Sequence, residues 1–288
     1  MKTFFETLYE GYGQEFRVDE LFFENRTEHQ HLVIFRNGIF GRVMALDGII
    51  QTTERDEFIY HEMLTHVPVL AHGNVRRVLI VGGGDGAMLR EVTKHRGIEQ
   101  IIQVEIDREV IETSKRYLPD HSQGAFEDPR VNVIIDDGLH FVRNAPDRFD
   151  VIISDSTDPI GPGDVLFTRD FYASCRLRLN AGGVFVTQNG VAFTQLEEVA
   201  STAGFLKDIF ADWHFFSAAV PTYVGGIMAF AWATDNPDLR HTDLRTLRRR
   251  FAHSGLKTRY YNPEVHHAAF ALPQYVLEAI GKSDNGYR

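Results

Sequence analysis

A single cysteine, Cys175, is the only thiol in this 288-residue chain. No internal disulfide can form, which suits a reducing compartment, so a cytoplasmic location is expected. Cys175 falls in a predicted helix and reads as a packing residue. Basic runs are also scarce. Arg248-Arg249-Arg250 is short enough to be a solvated helix face. With 40 acidic residues against 30 basic ones, the formal net charge is −10. Nucleic acid is therefore not an expected partner, and a cationic small molecule suits the field better. No set of His, Cys and Asp residues has the spacing of a zinc site, so no metal is expected. Long apolar runs are missing too. The opening Met-Lys-Thr-Phe-Phe-Glu is not read as a signal peptide. Residues 215–234 carry no charge and approach the length of a bilayer span. Pro221 and Gly225-Gly226 interrupt them, so two strands over 215–220 and 227–234 are expected, and no membrane association.

What is present is ample apolar material. Hydrophobic residues make up 43% of the chain, enough for a large core with a smaller unit beside it. Residues 1–53 read as an N-terminal β-strand domain. Runs over 31–36, 40–46 and 49–53 are separated by Asn37-Gly38 and Asp47-Gly48, both two-residue hairpin signals. Residues 54–288 read as a Rossmann-like catalytic domain. Thr53 is expected to cap a helix running toward Leu70. Strands over 77–81, 100–106, 131–135, 150–154 and 184–188 then alternate with helices near 87–96, 108–118, 138–145, 168–180 and 194–211. Thr194-Gln-Leu-Glu197 reads as a capping box. The expected fold is α/β: an open, mostly parallel sheet of Rossmann-like (methyltransferase) type with helices on both faces. The last two strands have no helix between them and should close as an antiparallel hairpin.

Ligands of such sheets bind beyond the carboxyl ends of the strands, and acids gather there. Residues 80–86 read Ile-Val-Gly-Gly-Gly-Asp-Gly. A glycine turn between strand and helix usually brings backbone N–H groups to an anion. Asp85 puts a carboxylate there instead, which implies a ligand with a cationic end. Gly82, Gly84 and Gly86 fit both the dinucleotide pattern, with Ala87, and the shorter pattern of sulfonium-nucleoside sheets. Glu105 ends the second strand, where a carboxylate can accept from both ribose hydroxyls. Its alternative, a helix cap, is already supplied by Asp107. Asp136-Asp137-Gly138 ends the third strand. The acid and the following N–H can meet an adenine edge, or the acid can simply cap a helix. Asp155 and Asp158 follow the fourth strand. The stretch after them, 156–166, mixes Pro159 and Pro162 with Gly161 and Gly163, as a lid would. Tyr60 and His61, on the first long helix, could position an amine or could be satisfied core residues.

These motifs resemble those of the spermidine synthases (polyamine aminopropyltransferases), and closely the enterobacterial type. The resemblance spans nearly the whole chain. It is carried by Glu28-His29-Gln30-His31-Leu32, Leu46-Asp47-Gly48, Gln51-Thr52-Thr53-Glu54-Arg55-Asp56-Glu57-Phe58-x-Tyr60-His61-Glu62-Met63, Gly82-Gly83-Gly84-Asp85-Gly86, Val104-Glu105-Ile106-Asp107 and Asp155-x-x-Asp158-Pro159. Tyr260-Tyr261-Asn262 and 268–273 complete it. The resemblance implies transfer of the aminopropyl group of decarboxylated S-adenosylmethionine, a co-substrate, to a diamine. Putrescine would give spermidine, with methylthioadenosine released and no metal or resident cofactor used. It implies that Gln30, Gln51, Glu105, Asp137-Gly138 and Pro162 contact the nucleoside. Tyr60, His61, Asp85, Asp155, Asp158 and Tyr223 would surround the amines, with Asp155 as proton acceptor. Eukaryotic members carry Gln where this chain has His61. A homodimer or homotetramer, assembled partly through the β unit, is implied as well. Diamine length is read by pocket depth, so putrescine, cadaverine, agmatine and spermidine stay open. A methyltransferase using intact S-adenosylmethionine is the nearest rival, and Asp85 would repel that cofactor's carboxylate. A non-catalytic polyamine sensor would not need Tyr60, Asp155 and a lid together.

Overall fold

A computed structural model describes residues 2–159 and 161–282, Pro162 by its backbone alone. The N-terminal part is entirely β. Strand β1 (Lys2–Phe5) pairs antiparallel with β2 (Glu15–Val18). Strands β3 (Glu20–Arg26), β4 (His31–Asn37), β5 (Gly41–Leu46) and β6 (Ile49–Thr53) form an antiparallel meander in sequence order. Asp47 and Gly48 both have positive φ, as a two-residue hairpin of the expected kind needs. The Asn37 turn is one residue longer than expected. Residues 38–40 form the loop, Asn37 Oδ1 accepts from the Ile39 and Phe40 N–H groups, and Gly41 takes the left-handed conformation.

Helix α1 (Glu57–His72) follows. Thr53 does not cap it. Asp56 occupies the cap position, and the Thr53 hydroxyl donates to Asp56 Oδ1 at 2.7 Å. The helix is buried nearly all round, so it is a core helix rather than an amphipathic one. Its buried polar groups need internal partners. Glu62, for instance, accepts the N–H groups of Arg259, Tyr260 and Tyr261 at 2.8 Å each, which ties down the C-terminal segment.

Alternation then begins: β7 (Arg77–Gly82), α2 (Ala87–Thr93), β8 (Gln100–Glu105), α3 (Arg108–Tyr117), α4 (Pro119–Ser122), β9 (Val131–Ile135), α5 (Gly138–Asn144), β10 (Phe149–Asp155), α6 (Arg169–Arg178), β11 (Leu179–Val191), α7 (Leu196–Ile209), β12 (Asp212–Ala219), β13 (Ile227–Thr234), α8 (Leu244–Ser254), α9 (Pro263–Ala269) and α10 (Gln274–Ala279). The seven-stranded sheet has the order β12-β13-β11-β10-β7-β8-β9. The pairs from β11 through β9 are parallel, and β13 is antiparallel to both of its neighbours. Successive side chains of β7 enter opposite cores. Val78 and Ile80 pack with α1 and α2, whereas Leu79 and Val81 pack with residues of α6 and α7. Thr194 does not cap α7. Gln195 holds the cap position, and the Thr194 hydroxyl donates to the Tyr9 hydroxyl at 2.8 Å.

The strand order reverses between β7 and β10, which opens a crevice at their carboxyl ends. The two ends touch there. Asp155 is in register with Gly82, and the Gly83 N–H donates to the Asp155 carbonyl at 2.9 Å. Gly82 has φ +86, and a Cβ on it would run into that carbonyl. Backbone strain and collision with a fixed main-chain atom both follow from any side chain here. Gly82→Ala should therefore lower unfolding free energy by about 2 kcal/mol or more, read as a lower urea midpoint. An unchanged midpoint would show that the junction yields freely.

Candidate active site

One large cavity opens at this crevice. It is lined by Gln30, Gln51, Tyr60, His61, Gly82, Gly84, Asp85, Glu105, Asp137, Gly138, Asp155, Asp158 and Tyr223. Residues singled out along more than half the chain thus meet in one space. Pro162 sits in the 3-10 helix Gly161–Phe167 beside it, and its side chain lies outside the described residues.

The glycine turn is arranged as its odd acid suggests. Gly86 N–H donates to the Gly83 carbonyl, closing the turn. Asp85 Oδ1 then accepts the Ala87 N–H at 2.9 Å, the N–H at the start of α2. An external anion would seek such a group, but the chain's own carboxylate already holds it. The second oxygen, Oδ2, faces His61 Nε2 at 3.7 Å. Asp85 is only 6% exposed, so its charge is little screened by water.

The same cavity holds a Tyr–Asp pair. The Tyr60 hydroxyl donates to Asp155 Oδ1 at 2.7 Å. Burial, with help from Asp85, pushes the Asp155 carboxyl up to about 6, against the opposing pull of His61 and Tyr60. Burial also raises Tyr60 well above the ordinary phenol range, so it remains a donor. Tyr60 is held edge-on by the rings of Tyr223 and Phe230. The Tyr223 hydroxyl donates to the Gln51 carbonyl at 2.7 Å. Asp56 accepts both the N–H and the hydroxyl of Thr222, fixing the loop that carries Tyr223.

At the other end, Glu105 Oε1 accepts the Asp107 N–H at 2.9 Å, and Asp107 caps α3. Burial lifts Glu105 to about 7. Gln30 is fixed by donating to Asp107 Oδ2 at 3.1 Å. Asp137 does act as a helix cap, accepting the His140 N–H, and it also borders the cavity. A Cβ on Gly138 would meet Val81 and Leu166, so glycine keeps this wall open.

Several lining residues were not anticipated. Gln188, near the carboxyl end of β11, donates to the Ser156 and Thr157 carbonyls and so holds the segment after β10 as a cavity wall. Its place as the last residue of the predicted strand 184–188 was a usable signal. Gln195 donates to Asp158 Oδ1 at 2.5 Å and accepts from the Tyr9 hydroxyl at 3.0 Å. Burial raises the Asp158 carboxyl. Glu6 and Tyr9 reach the cavity from the N-terminal β unit. Nothing local in the sequence marks them, because their partners lie far along the chain. Among the described residues, no group of three or more His, Cys, Asp or Glu side chains is placed to hold a metal ion. No helix among them is long and apolar enough to cross a membrane.

The carboxyl of Asp155 has a raised folded value, so its contribution to stability is full below about 3.8 and is lost as pH rises through about 6. Asp155→Asn keeps an acceptor for Tyr60 and removes the unfavourable charge. At pH 8 the variant should melt several degrees higher than the parent protein, and the gain should vanish near pH 4. A variant that melts lower at pH 8 would show that the ionised carboxylate stabilises the fold.

Comparison with known proteins agrees along the whole chain. Residues 57–243 match the spermine/spermidine synthase domain, and residues 3–54 match the spermidine synthase tetramerisation domain. A polyamine aminopropyltransferase of Pseudomonas aeruginosa is 65% identical over 99% of this chain and 100% of its own length. One from Pectobacterium carotovorum is 60% identical over 97% of each chain. A crystal structure of spermidine synthase with the transition-state analogue AdoDATO superposes with a TM-score of 0.91 at 37% identity, covering 97% of this chain and 95% of that one. The Thermotoga maritima spermidine synthase gives 0.89 at 35% identity, over 97% and 94%.

Proposed function

This chain belongs to the spermine/spermidine synthase family and is an aminopropyltransferase, and we propose that it makes spermidine by transferring the aminopropyl group of decarboxylated S-adenosylmethionine to putrescine. The observation that carries this reading is the Asp85 carboxylate on the first N–H of α2, lining one cavity with the Tyr60–Asp155 pair. That turn repels a ligand carboxylate and receives an ammonium. Intact S-adenosylmethionine would bring a carboxylate to it, so methyl transfer fits less well.

Glu105 takes the ribose hydroxyls in this reading. Asp137 and the Gly138 N–H read the adenine, while Gln30, Gln51 and Pro162 border the nucleoside with Gly82 and Gly84. The amines lie among Tyr60, His61, Asp85, Asp155, Asp158 and Tyr223. The amine nitrogen forms its bond to the methylene beside the sulfonium. The C–S pair leaves with sulfur, and methylthioadenosine departs as a neutral thioether. The displaced proton goes to Asp155. A free alkylamine titrates near 10 and a carboxylate near 4, a gap of about 6 units or ~8 kcal/mol. Raising Asp155 to about 6 leaves a gap of ~4 units, ~5 kcal/mol. The nearby sulfonium and desolvation narrow it further by lowering the amine. Tyr60 gives its hydrogen to Asp155, so its oxygen lone pairs are free to accept from the amine and aim it. Holding two reactants in line supplies much of the remaining acceleration.

The match of residues 3–54 to a tetramerisation domain indicates an oligomer. We propose a dimer or tetramer assembled through the β unit of residues 1–53, where Phe5 and Ile39 stand exposed.

Product analysis tests the reading. With decarboxylated S-adenosylmethionine and putrescine, the enzyme should release methylthioadenosine and spermidine. S-adenosylhomocysteine from intact S-adenosylmethionine would indicate the methyltransferase instead. Asp155→Asn should lower kcat by roughly 100-fold or more, with methylthioadenosine affinity little changed. Near-normal turnover would remove Asp155 from the proton transfer.

A further inference from the structure

His61 is 4% exposed, and its two nitrogens have unequal surroundings. Nδ1 lies 2.8 Å from the Glu57 carbonyl and 2.8 Å from Glu57 Oε2. Both are acceptors, so Nδ1 carries hydrogen in either charge state. Glu57 cannot swing away. Its Oε2 also accepts from Arg90 Nη2 at 2.8 Å, and Arg90 is pinned by Glu91 and by the carbonyls of Asp120 and His121. Nε2 faces the cavity and Asp85 Oδ2. Any change of charge at His61 therefore happens at Nε2, on the wall where a ligand's cation would meet Asp85.

We propose that His61 is an exchangeable counter-charge: the proton on Nε2 serves Asp85 in the empty site and is released to solvent when a primary ammonium of the ligand takes its place. The inference rests on the reading of the cavity as a site for an amine-bearing sulfonium nucleoside. The N–H bond at Nε2 breaks, and its electron pair stays on nitrogen. That lone pair then accepts an N–H of the bound ammonium, and the proton passes to buffer. Without this release, an imidazolium and an ammonium would crowd one carboxylate, and like charges at that spacing oppose each other.

The groups around His61 set its charge. Glu57 of the same helix, Asp85 of the glycine turn and Asp155 of β10 are acidic. Arg90 of α2 is cationic. His121 of α4 accompanies Thr52 at 2.9 Å and is pushed down by burial. Tyr60 and Tyr223 have phenols raised by burial. Burial opposes charge on His61, but Asp85 and Glu57 outweigh it and lift the ring to about 9. The empty site is thus loaded with the proton that binding would expel.

Calorimetry on the intact protein at pH 8, in phosphate and in Tris, tests the exchange. Glu105, raised to about 7, is already mostly ionised there and contributes little. Decarboxylated S-adenosylmethionine should release most of one proton, roughly 0.7–0.9. Methylthioadenosine and its S-methyl sulfonium, which has the sulfonium but no amine, should release close to none. Affinity for the amine-bearing ligand should rise several-fold from pH 7.5 to 8.5, approaching tenfold per unit, and His61→Gln should flatten that slope. Binding with buffer-independent heat overturns the exchange and leaves the proposed activity standing. Release by the S-methyl sulfonium equal to that by the amine ligand, or release persisting in His61→Gln, overturns it as well. No binding of decarboxylated S-adenosylmethionine overturns both readings. Should His61→Gln fail to fold, ¹⁵N spectra of the parent protein decide: Nε2 should lose its hydrogen on adding the ligand, and an unchanged protonated signal overturns the exchange.

Discussion

The site depends on the contact between the ends of two parallel strands. β7 and β10 adjoin at the reversal of strand order, and their last residues, Gly82 and Asp155, lie in register. Gly83 N–H and the Asp155 carbonyl close the junction. This one contact aims the turn after β7 and the acid at the end of β10 into the same space. Helix α1 then lies over it, because Val78 and Ile80 share its core with Met63, Leu64 and Val67. Tyr60 and His61 are carried onto the two acids by that packing. The placing of Tyr60, His61 and Asp155 is thus set by strand register and helix packing, whereas Asp85, Asp158 and Tyr223 come from the connections between elements.

Acids are buried here in two different ways, and the contrast separates scaffolding from chemistry. Glu57 is pulled down to about 2 by His61 and Arg90 despite its burial. Glu91 is also lowered, with His66, Arg90 and Lys94 as partners. These carboxylates have their cations within the fold. Glu105, Asp155 and Asp158 are raised because burial dominates; among the described residues no Lys or Arg offsets it, and the one cationic pull, on Asp155, comes from His61. Buried charge without a partner is costly. A protein that keeps such groups gathered in one cavity stores a demand for cations and hydroxyls that a ligand can satisfy. The demand costs fold stability, which is a common compromise at functional sites.

How much of this was legible follows from how local each signal is. The strands of the parallel part of the large sheet are apolar runs with glycines or acids at or just past several of their ends, so the runs and those acids could be read directly. Asp107 caps α3 as the sequence implied, and Asp137 caps α5, the alternative to the adenine contact expected of it. Other local readings failed because a distant partner won. Thr53 and Thr194 have good capping chemistry, yet Thr53 serves Asp56 and Thr194 serves Tyr9. The first strands were missed because Glu-Leu-Phe-Phe-Glu-Asn-Arg, over 20–26, is largely exposed and lacks alternation. Tyr9 meets Gln195 across 186 positions, and no spacing rule reaches that far.

Those long contacts bear on why the small β unit and the large sheet share one chain. Glu6 and Tyr9 line the end of the cavity near Asp158. Gln14 donates to the Thr222 carbonyl and to Glu6. The loop carrying Tyr223 is therefore held from both sides: by Asp56 at the start of α1, and by Gln14 and the Gln51 carbonyl of the β unit. Tyr223 in turn packs on Tyr60, which bonds Asp155. The β unit is thus linked to Tyr60 and Asp155 by an unbroken chain of contacts through Tyr223. The unit that matches a tetramerisation domain is also the one that braces Tyr223.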